Sequence, residues 1–166
     1  LVGSEMCIRD RIINNALQGK KLPVYGDGKN VRDWLFVEDH AKAIDMVQEQ
    51  GRLFETYNVG GHNEKQNIEI INIIIDTLQE MLPADDPRRA LVSKDLITYV
   101  EDRKGHDRRY AIAPDKIKAE IGWYPETDFA TGIKKTIAWF FEHEDWMKNV
   151  TSGDYQKYYD DMYANK

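Results

Sequence analysis

The most regular pattern of apolar and polar positions in the chain lies between residues 68 and 82. Apolar residues recur there at the spacing of one helix face: Ile71, Ile74, Ile75, Leu78 and Leu82. This spacing predicts a helix over 68–82, with Asn67 as its N-cap. Further isoleucines at positions 68, 70 and 73 widen the apolar face, so we expect the helix to pack on two sides.

Shorter patterns on either side of this helix predict an alternation of strands and helices. Apolar or β-branched runs predict strands at 21–25, 32–37, 56–59, 96–100 and 110–112. Helices are predicted at 12–19, from Glu38 onward, from Pro114 to Gly122 and over 129–146. Strands that alternate with helices indicate an α/β or α+β protein, and we expect the α/β class.

Composition narrows the possible functions of the chain. Its 166 residues are 42% hydrophobic and carry a formal net charge of −6, which disfavours non-specific nucleic-acid binding. No apolar run is long enough to span a membrane. A single cysteine, Cys7, excludes an internal disulfide and a four-cysteine zinc site. We therefore expect a cytoplasmic protein with no membrane or nucleic-acid partner.

The usual catalytic and cofactor motifs are missing from the sequence. There is no GxGxxG or GxxxxGK[ST] phosphate loop, no GxSxG nucleophile turn, and no histidine spacing typical of a metal site. Tyr25 and Lys29 match the Tyr-x-x-x-Lys pattern, but residues 26–28 (Gly-Asp-Gly) predict a turn. Since that pair acts when both residues lie on one helix face, we expect no catalytic role here.

A cluster of positive charge is the strongest remaining candidate for a ligand site. Four cations fall within residues 102–109: Arg103, Lys104, Arg108 and Arg109. Guanidinium groups suit phosphate oxygens, so this cluster could bind a diphosphate. Alternatively, Asp102 and Asp107 could neutralise the arginines in structural ion pairs. The neighbours Arg32 and Asp33 leave the same two interpretations open.

Four segments carry a resemblance to a known family. Residues 21–28 (KLPVYGDG) and 32–40 (RDWLFVEDH) resemble the extended short-chain dehydrogenases that act on nucleotide sugars. Residues 57–64 (YNVGGHNE) and 102–110 (DRKGHDRRY) narrow the resemblance to the dTDP-glucose 4,6-dehydratases. The match covers residues 12–166, roughly the C-terminal half of the family's chain. It implies a Rossmann-like fold, represented here mainly by the smaller substrate-binding domain with a few elements of the dinucleotide-binding sheet. We expect residues 1–11 to be a non-family segment, such as read-through from a sequencing adapter.

The resemblance implies a substrate-binding role for ten positions and a catalytic role for none. Pro23, Val24 and Tyr25 would line the thymidine end of the substrate, and Arg32 and Asn67 would contact the nucleotide or diphosphate. The remaining positions fall in the 102–106 run or in the C-terminal tail: Asp102, Arg103, Gly105, His106 and Tyr155. The family usually has proline where this chain has Lys104, which weakens the expected loop geometry slightly.

The resemblance also implies an activity for the complete parent enzyme. The family converts dTDP-glucose to its 4-keto-6-deoxy product, on the route to dTDP-rhamnose, with bound NAD, and its members are homodimers. The NAD-binding βαβ unit, the helical Tyr-x-x-x-Lys pair and the Asp-Glu pair do not occur in residues 1–166, so we expect this chain alone to be inactive. The alternatives are a fragment of a UDP- or GDP-sugar enzyme and a non-catalytic nucleotide-sugar binding module.

Overall fold

The computed structural model describes residues 7–102 and 105–146 of the chain. It divides into two compact units, residues 1–133 and residues 134–166, and the elements below lie in the first unit except for the later part of the last helix. In chain order they are α1 (Cys7–Leu17), β1 (Leu22–Tyr25), β2 (Val31–Asp33), α2 (Val37–Gln50), β3 (Glu64–Gln66), α3 (Asn67–Met81), β4 (Ile97–Val100), α4 (Asp115–Ile121) and α5 (Phe129–Glu142). This alternation confirms the predicted α/β class.

The isoleucine-rich helix forms as the sequence pattern predicts. α3 buries one broad face, made of Ile70, Ile71, Ile74, Ile75 and Leu78. The predicted N-cap is wrong by one residue, because Asn67 is the first helical residue and Gln66 precedes it as the cap. Gln66 is also the last residue of β3, so strand and helix are continuous there. Its backbone N–H donates to Glu69 Oε2 at 2.7 Å, as in a capping box.

In the described part of the chain, four short strands form two small sheets. β1 pairs in parallel with β4, with Leu22 opposite Ile97 and Tyr25 opposite Val100. β2 pairs antiparallel with β3 and is shorter than the predicted 32–37 strand, because the chain leaves extended pairing after Asp33 and α2 begins at Val37. Together the two sheets place the residues around the 26–30 turn next to the start of α3.

Two predicted strands are wrong for the described residues. Residues 56–59 and 110–112 form no strand, although Arg109 makes an isolated parallel bridge to Val31. A strand requires a ladder partner, and none of the described segments supplies one for these residues. Tyr57 and Val59 instead pack on a second core of Ala43, Ile117, Ile121 and Trp123.

Buried polar contacts connect the segments that surround the second core. Asp39 is mostly buried, its carboxylate accepts from the Thr127 backbone N–H at 2.9 Å, and its carbonyl accepts from Trp123 Nε1 at 3.2 Å. The predicted helix between Pro114 and Gly122 is confirmed, and Gly122 ends α4 in the left-handed conformation with φ of 77°. Among the described helices, none has the length and apolar character needed to cross a bilayer.

The last helix is shorter than the pattern predicts. α5 ends at Glu142, and a turn at His143 separates it from a further helical stretch at 144–146. The His143 Nδ1 atom lies 2.9 Å from the carbonyl of Trp139, and the two rings stack with centroids 4.4 Å apart. These contacts within the second unit lie at the point where the regular helix stops.

Candidate nucleotide-binding site

A tight turn after β1 forms the floor of the candidate site. Gly26 and Gly28 have φ of 57° and 72°, in the region that favours glycine. A side chain at Gly28 would also meet Val24 Cγ1 at 2.7 Å, so the turn requires glycine there for two reasons. Tyr25 and Lys29 therefore lie at the two ends of a turn and not on a helix face, as predicted.

A pocket brings four of the predicted substrate-binding residues together. It is lined by Arg11, Ile12, Pro23, Val24, Tyr25, Asn67 and Ile71. The Oδ1 atom of Asn67 is buried and accepts no hydrogen bond from the described residues. A buried oxygen without a donor is costly, so this atom is suited to accept a hydrogen bond from a ligand N–H. Arg11 lies within the 1–11 segment that the sequence reasoning sets apart from the family.

A residue that the sequence reasoning missed connects this pocket to the basic residues. Asn30 is 2% exposed, and its carbonyl accepts from the backbone N–H of Asn67 at 3.0 Å. Its side-chain Nδ2 lies 2.9 Å from His106 Nδ1. A single asparagine between a turn and a strand has no periodic pattern that would mark it as buried, so only the tertiary structure identifies it.

Arg32 and His106 meet in the same region. Arg32 Nη2 lies 2.8 Å from His106 Nε2, and the guanidinium carbon lies 4.4 Å from the centre of the Tyr110 ring. On the other side of the imidazole, His106 Nδ1 lies 2.8 Å from Asp102 Oδ1. Arg32, predicted from one segment, therefore meets Asp102 and His106, predicted from another, with the imidazole lying between Arg32 and Asp102.

The other described arginines of the basic cluster are engaged in ion pairs. Arg108 contacts both carboxylate oxygens of Asp27, at 2.7 and 2.9 Å, and Arg109 contacts both oxygens of Glu64, each at 2.8 Å. These two arginines are therefore neutralised in structural ion pairs, but by Asp27 and Glu64 from distant segments and not by Asp102 and Asp107. The hydrogen bond from Arg108 lowers the pKa of Asp27 to about 2, and that from Arg109 lowers the pKa of Glu64.

The contacts of Asp33 decide whether it forms an ion pair with its neighbour Arg32. Its two carboxylate oxygens accept from the backbone N–H groups of Gly61 and Asn63 at 2.7 and 2.8 Å. Asp33 thus fixes the 60–63 turn and does not pair with Arg32. Within the described ranges, no carboxylate lies within ion-pair distance of the Arg32 guanidinium, which leaves its charge available for an anionic ligand.

The remaining predicted site residues are only partly described. Gly105 is exposed, with φ of 76°, in the loop that leads to His106. Arg103 and Tyr155 lie outside the described residues. No group of three or more potential metal ligands occurs within the described ranges.

Comparison with solved structures identifies the fold. A dTDP-glucose 4,6-dehydratase from Bacillus anthracis, in complex with NAD, superposes with a TM-score of 0.70 at 47% identity, covering 82% of this chain and 39% of that one. The same enzyme from Streptomyces venezuelae gives a TM-score of 0.72 at 37% identity, covering 82% of this chain and 38% of that one. The fold is that of the extended short-chain dehydrogenases with a Rossmann-like core.

Sequence comparison identifies the family within that fold. The chain belongs to the GDP-mannose 4,6 dehydratase family, whose model matches residues 5–136. It is 49% identical over 155 residues to the dTDP-glucose 4,6-dehydratase of Shigella flexneri, which covers 93% of this chain and 42% of that protein. The enzyme of Neisseria meningitidis is 50% identical over 145 residues, covering 87% of this chain and 41% of that one. The chain thus spans about two fifths of the length of the curated relatives it matches.

Proposed function

We propose that this chain is the substrate-binding part of a dTDP-glucose 4,6-dehydratase, a lyase that converts dTDP-glucose to dTDP-4-keto-6-deoxyglucose. The proposal rests on one observation, which is that Asn30 connects two features of the structure. One is the pocket with the buried Asn67 oxygen, and the other is Arg32, which has no carboxylate partner among the described residues. An apolar pocket beside a guanidinium suits a nucleoside diphosphate, which has one flat, largely apolar end and one anionic end.

The proposed roles follow the two parts of the site. Pro23, Val24 and Tyr25 would contact the base, and Asn67 Oδ1 would accept a hydrogen bond from it. Arg32 would contact the diphosphate. Asp102, Gly105 and His106 would form the adjacent loop, and we extend the substrate-binding role to Arg103 and Tyr155 through the family resemblance.

NAD does not fit the residues of this chain. The sequence has no glycine-rich phosphate loop between a strand and a helix, and the Tyr25–Lys29 pair lies across a turn. We therefore propose that NAD binds to the rest of the parent enzyme, where it accepts and returns a hydride. No step of that chemistry is assigned to residues of this chain.

Two further features of the parent remain part of this proposal. We propose that the parent is a cytoplasmic enzyme, as the family resemblance implies. We also propose that the parent forms a homodimer, as the family resemblance implies. A UDP- or GDP-sugar enzyme is the alternative that the assay below distinguishes from this proposal.

An activity assay on two proteins tests the proposal. The parent enzyme, expressed from the complete gene, should convert dTDP-glucose to the 4-keto-6-deoxy product, whereas the 166-residue chain should give none. Product is measured by its alkaline absorbance and by mass spectrometry. A parent that acts only on UDP- or GDP-sugars would refute the substrate assignment, and product formed by the 166-residue chain would refute the division of roles.

A further inference from the structure

Three functional groups around the His106 imidazole limit where its proton can reside. Arg32 is always a donor, so the Nε2 atom that faces Arg32 Nη2 at 2.8 Å must accept. An ionised Asp102 is only an acceptor, so the Nδ1 atom that faces Asp102 Oδ1 at 2.8 Å must carry the hydrogen. A neutral imidazole with its hydrogen on Nδ1 satisfies both partners at once.

The third partner, Asn30, does not by itself fix the position of the proton. Its amide can present either its oxygen or its NH₂ group, so its contact of 2.9 Å with Nδ1 does not determine the tautomer. With the hydrogen on Nδ1, the amide oxygen of Asn30 would face the ring, and this orientation gives up the long contact of 3.5 Å from Arg108 Nη1 to Asn30 Oδ1. Among the three contacts, Asp102 and Arg32 are therefore the ones that fix the proton.

We propose that Asp102 is a positioning residue, which holds His106 in the Nδ1–H tautomer so that Nε2 accepts from Arg32 and orients the guanidinium for an anionic ligand. Arg32 is held on its other sides by the carbonyls of Val31 at 2.7 Å and Asp107 at 3.2 Å, and by the face of Tyr110. The His106 imidazole is the remaining partner of the Arg32 guanidinium, and in this tautomer it is a side-chain acceptor that carries no charge. A carboxylate in its place would neutralise the guanidinium, whereas a neutral acceptor orients it and leaves its charge for the ligand.

This inference rests on the proposed function for the identity of the ligand, but not for the tautomer. The first measurement is therefore the tautomer, read from long-range ¹H–¹⁵N correlation spectra of the ¹⁵N-labelled 166-residue chain. We expect the wild-type chain to show His106 with its hydrogen on Nδ1. We expect Asp102→Asn to keep this pattern, since the amide oxygen still accepts, and Asp102→Ala to lose it.

The second measurement is the affinity for dTDP and for thymidine, by calorimetric titration. Asp102→Ala should weaken dTDP binding about tenfold and leave thymidine binding unchanged, because only the diphosphate contacts Arg32. Asp102→Asn should restore most of the dTDP affinity.

Asp107→Ala is the matched control, since it removes the same charge from the same loop. The Asp107 side chain makes no contact with His106 or Arg32 among the described residues, so dTDP binding should not change.

The outcomes distinguish the positioning role of Asp102 from the proposed identity of the ligand. A His106 ring with its hydrogen on Nε2 in the wild-type chain, or an unchanged ring pattern in Asp102→Ala, overturns the positioning role. Equal dTDP affinity in Asp102→Ala and Asp107→Ala also overturns it. If dTDP does not bind the wild-type chain while the Nδ1–H tautomer is observed and depends on Asp102, the proposed ligand is wrong and the positioning geometry stands.

Discussion

The three described arginines around the 26–33 segment have different roles because their partners differ. Arg108 and Arg109 each form a two-pronged pair with a carboxylate, and these pairs join the 106–109 loop to the turn at Asp27 and to the start of β3. Such exposed pairs add little to stability, so their main effect is to fix the geometry of the loop. Arg32 contacts two backbone carbonyls, the His106 imidazole and the Tyr110 ring, and it has no carboxylate partner among the described residues.

Removing the Arg32 guanidinium should selectively reduce binding of the phosphate part of the ligand. Arg32→Ala is expected to weaken dTDP binding by roughly tenfold to a hundredfold, the range of a hydrogen bond to a charged group. Thymidine affinity should remain within about twofold of wild type. Arg52→Ala is the control, because it removes a paired arginine that contacts Glu120 outside the site. An equal loss in both variants would contradict the assigned role of Arg32.

The Asp27–Arg108 pair should persist into acid. The pKa of Asp27 is lowered from 3.8 to about 2, mainly by the hydrogen bond from Arg108. A lowered pKa means that the contribution of this pair to folding is complete above about pH 4. It is lost as the pH falls through about 2. In a ¹³C carboxyl titration, Asp27 should titrate near pH 2, and Arg108→Ala should move its midpoint upward.

A variant that changes the net charge by the same amount tests whether the pKa of Asp27 depends on Arg108 itself or on the net charge of the protein. Lys94→Ala removes one positive charge from a residue that pairs with Asp76, so the Asp27 midpoint should not move. If both variants shift Asp27 equally, the pairing with Arg108 is not the cause of its low pKa.

At the scale of elements, local patterns can be predicted from the sequence, whereas pairing between distant segments cannot. The α3 helix, the strand at 21–25 and the Gly122 terminus are predictable because periodicity and turn residues are local properties. The predicted strands at 56–59 and 110–112 are wrong, because whether an extended segment pairs depends on a partner elsewhere in the chain. The Asn67 cap is misplaced because the pairing of Gln66 with Val31 brings β3 directly up to the helix.

The same distinction applies to the site. The resemblance identifies the residues that gather around the pocket and around Arg32. It does not show that Asn30 connects them or that Asp27 and Glu64 pair with the arginines. Each of these contacts joins residues more than thirty positions apart, so no local pattern in the sequence reports it.

The 60–63 turn depends on glycine at position 61 for reasons of space. A side chain there would collide with the carbonyl oxygen of Trp34, and the Gly61 N–H is bound to Asp33 Oδ2 at 2.7 Å. Gly61→Ala should lower the free energy of unfolding by about 3 kcal/mol or more, as for overpacking against backbone. The measurement is urea unfolding followed by circular dichroism.

Gly122→Ala is the matched comparison for this prediction. Gly122 has φ of 77°, but a Cβ atom at this position would lie in open space. Its replacement should therefore cost only roughly 1–2 kcal/mol of left-handed strain. A cost for Gly61→Ala no greater than that for Gly122→Ala would contradict the steric account of the 60–63 turn.

At the scale of the whole molecule, the chain contains the candidate site but only part of the length of its relatives. It spans about two fifths of the length of its curated relatives, and its sequence lacks the motifs for binding a dinucleotide. The elements that it does contain bring together the pocket, Asn30 and Arg32 within residues 1–133. Ligand binding and catalysis should therefore be separable in this protein, with binding tested on the chain and turnover on the parent.

The most direct test of the central claim is a calorimetric competition between nucleoside diphosphates for the 166-residue chain. We expect that dTDP binds, that it is preferred over UDP and GDP, and that dTDP-glucose competes for the same site. Preference for UDP or GDP, or no nucleotide binding by a chain shown to be folded by circular dichroism, would contradict the account.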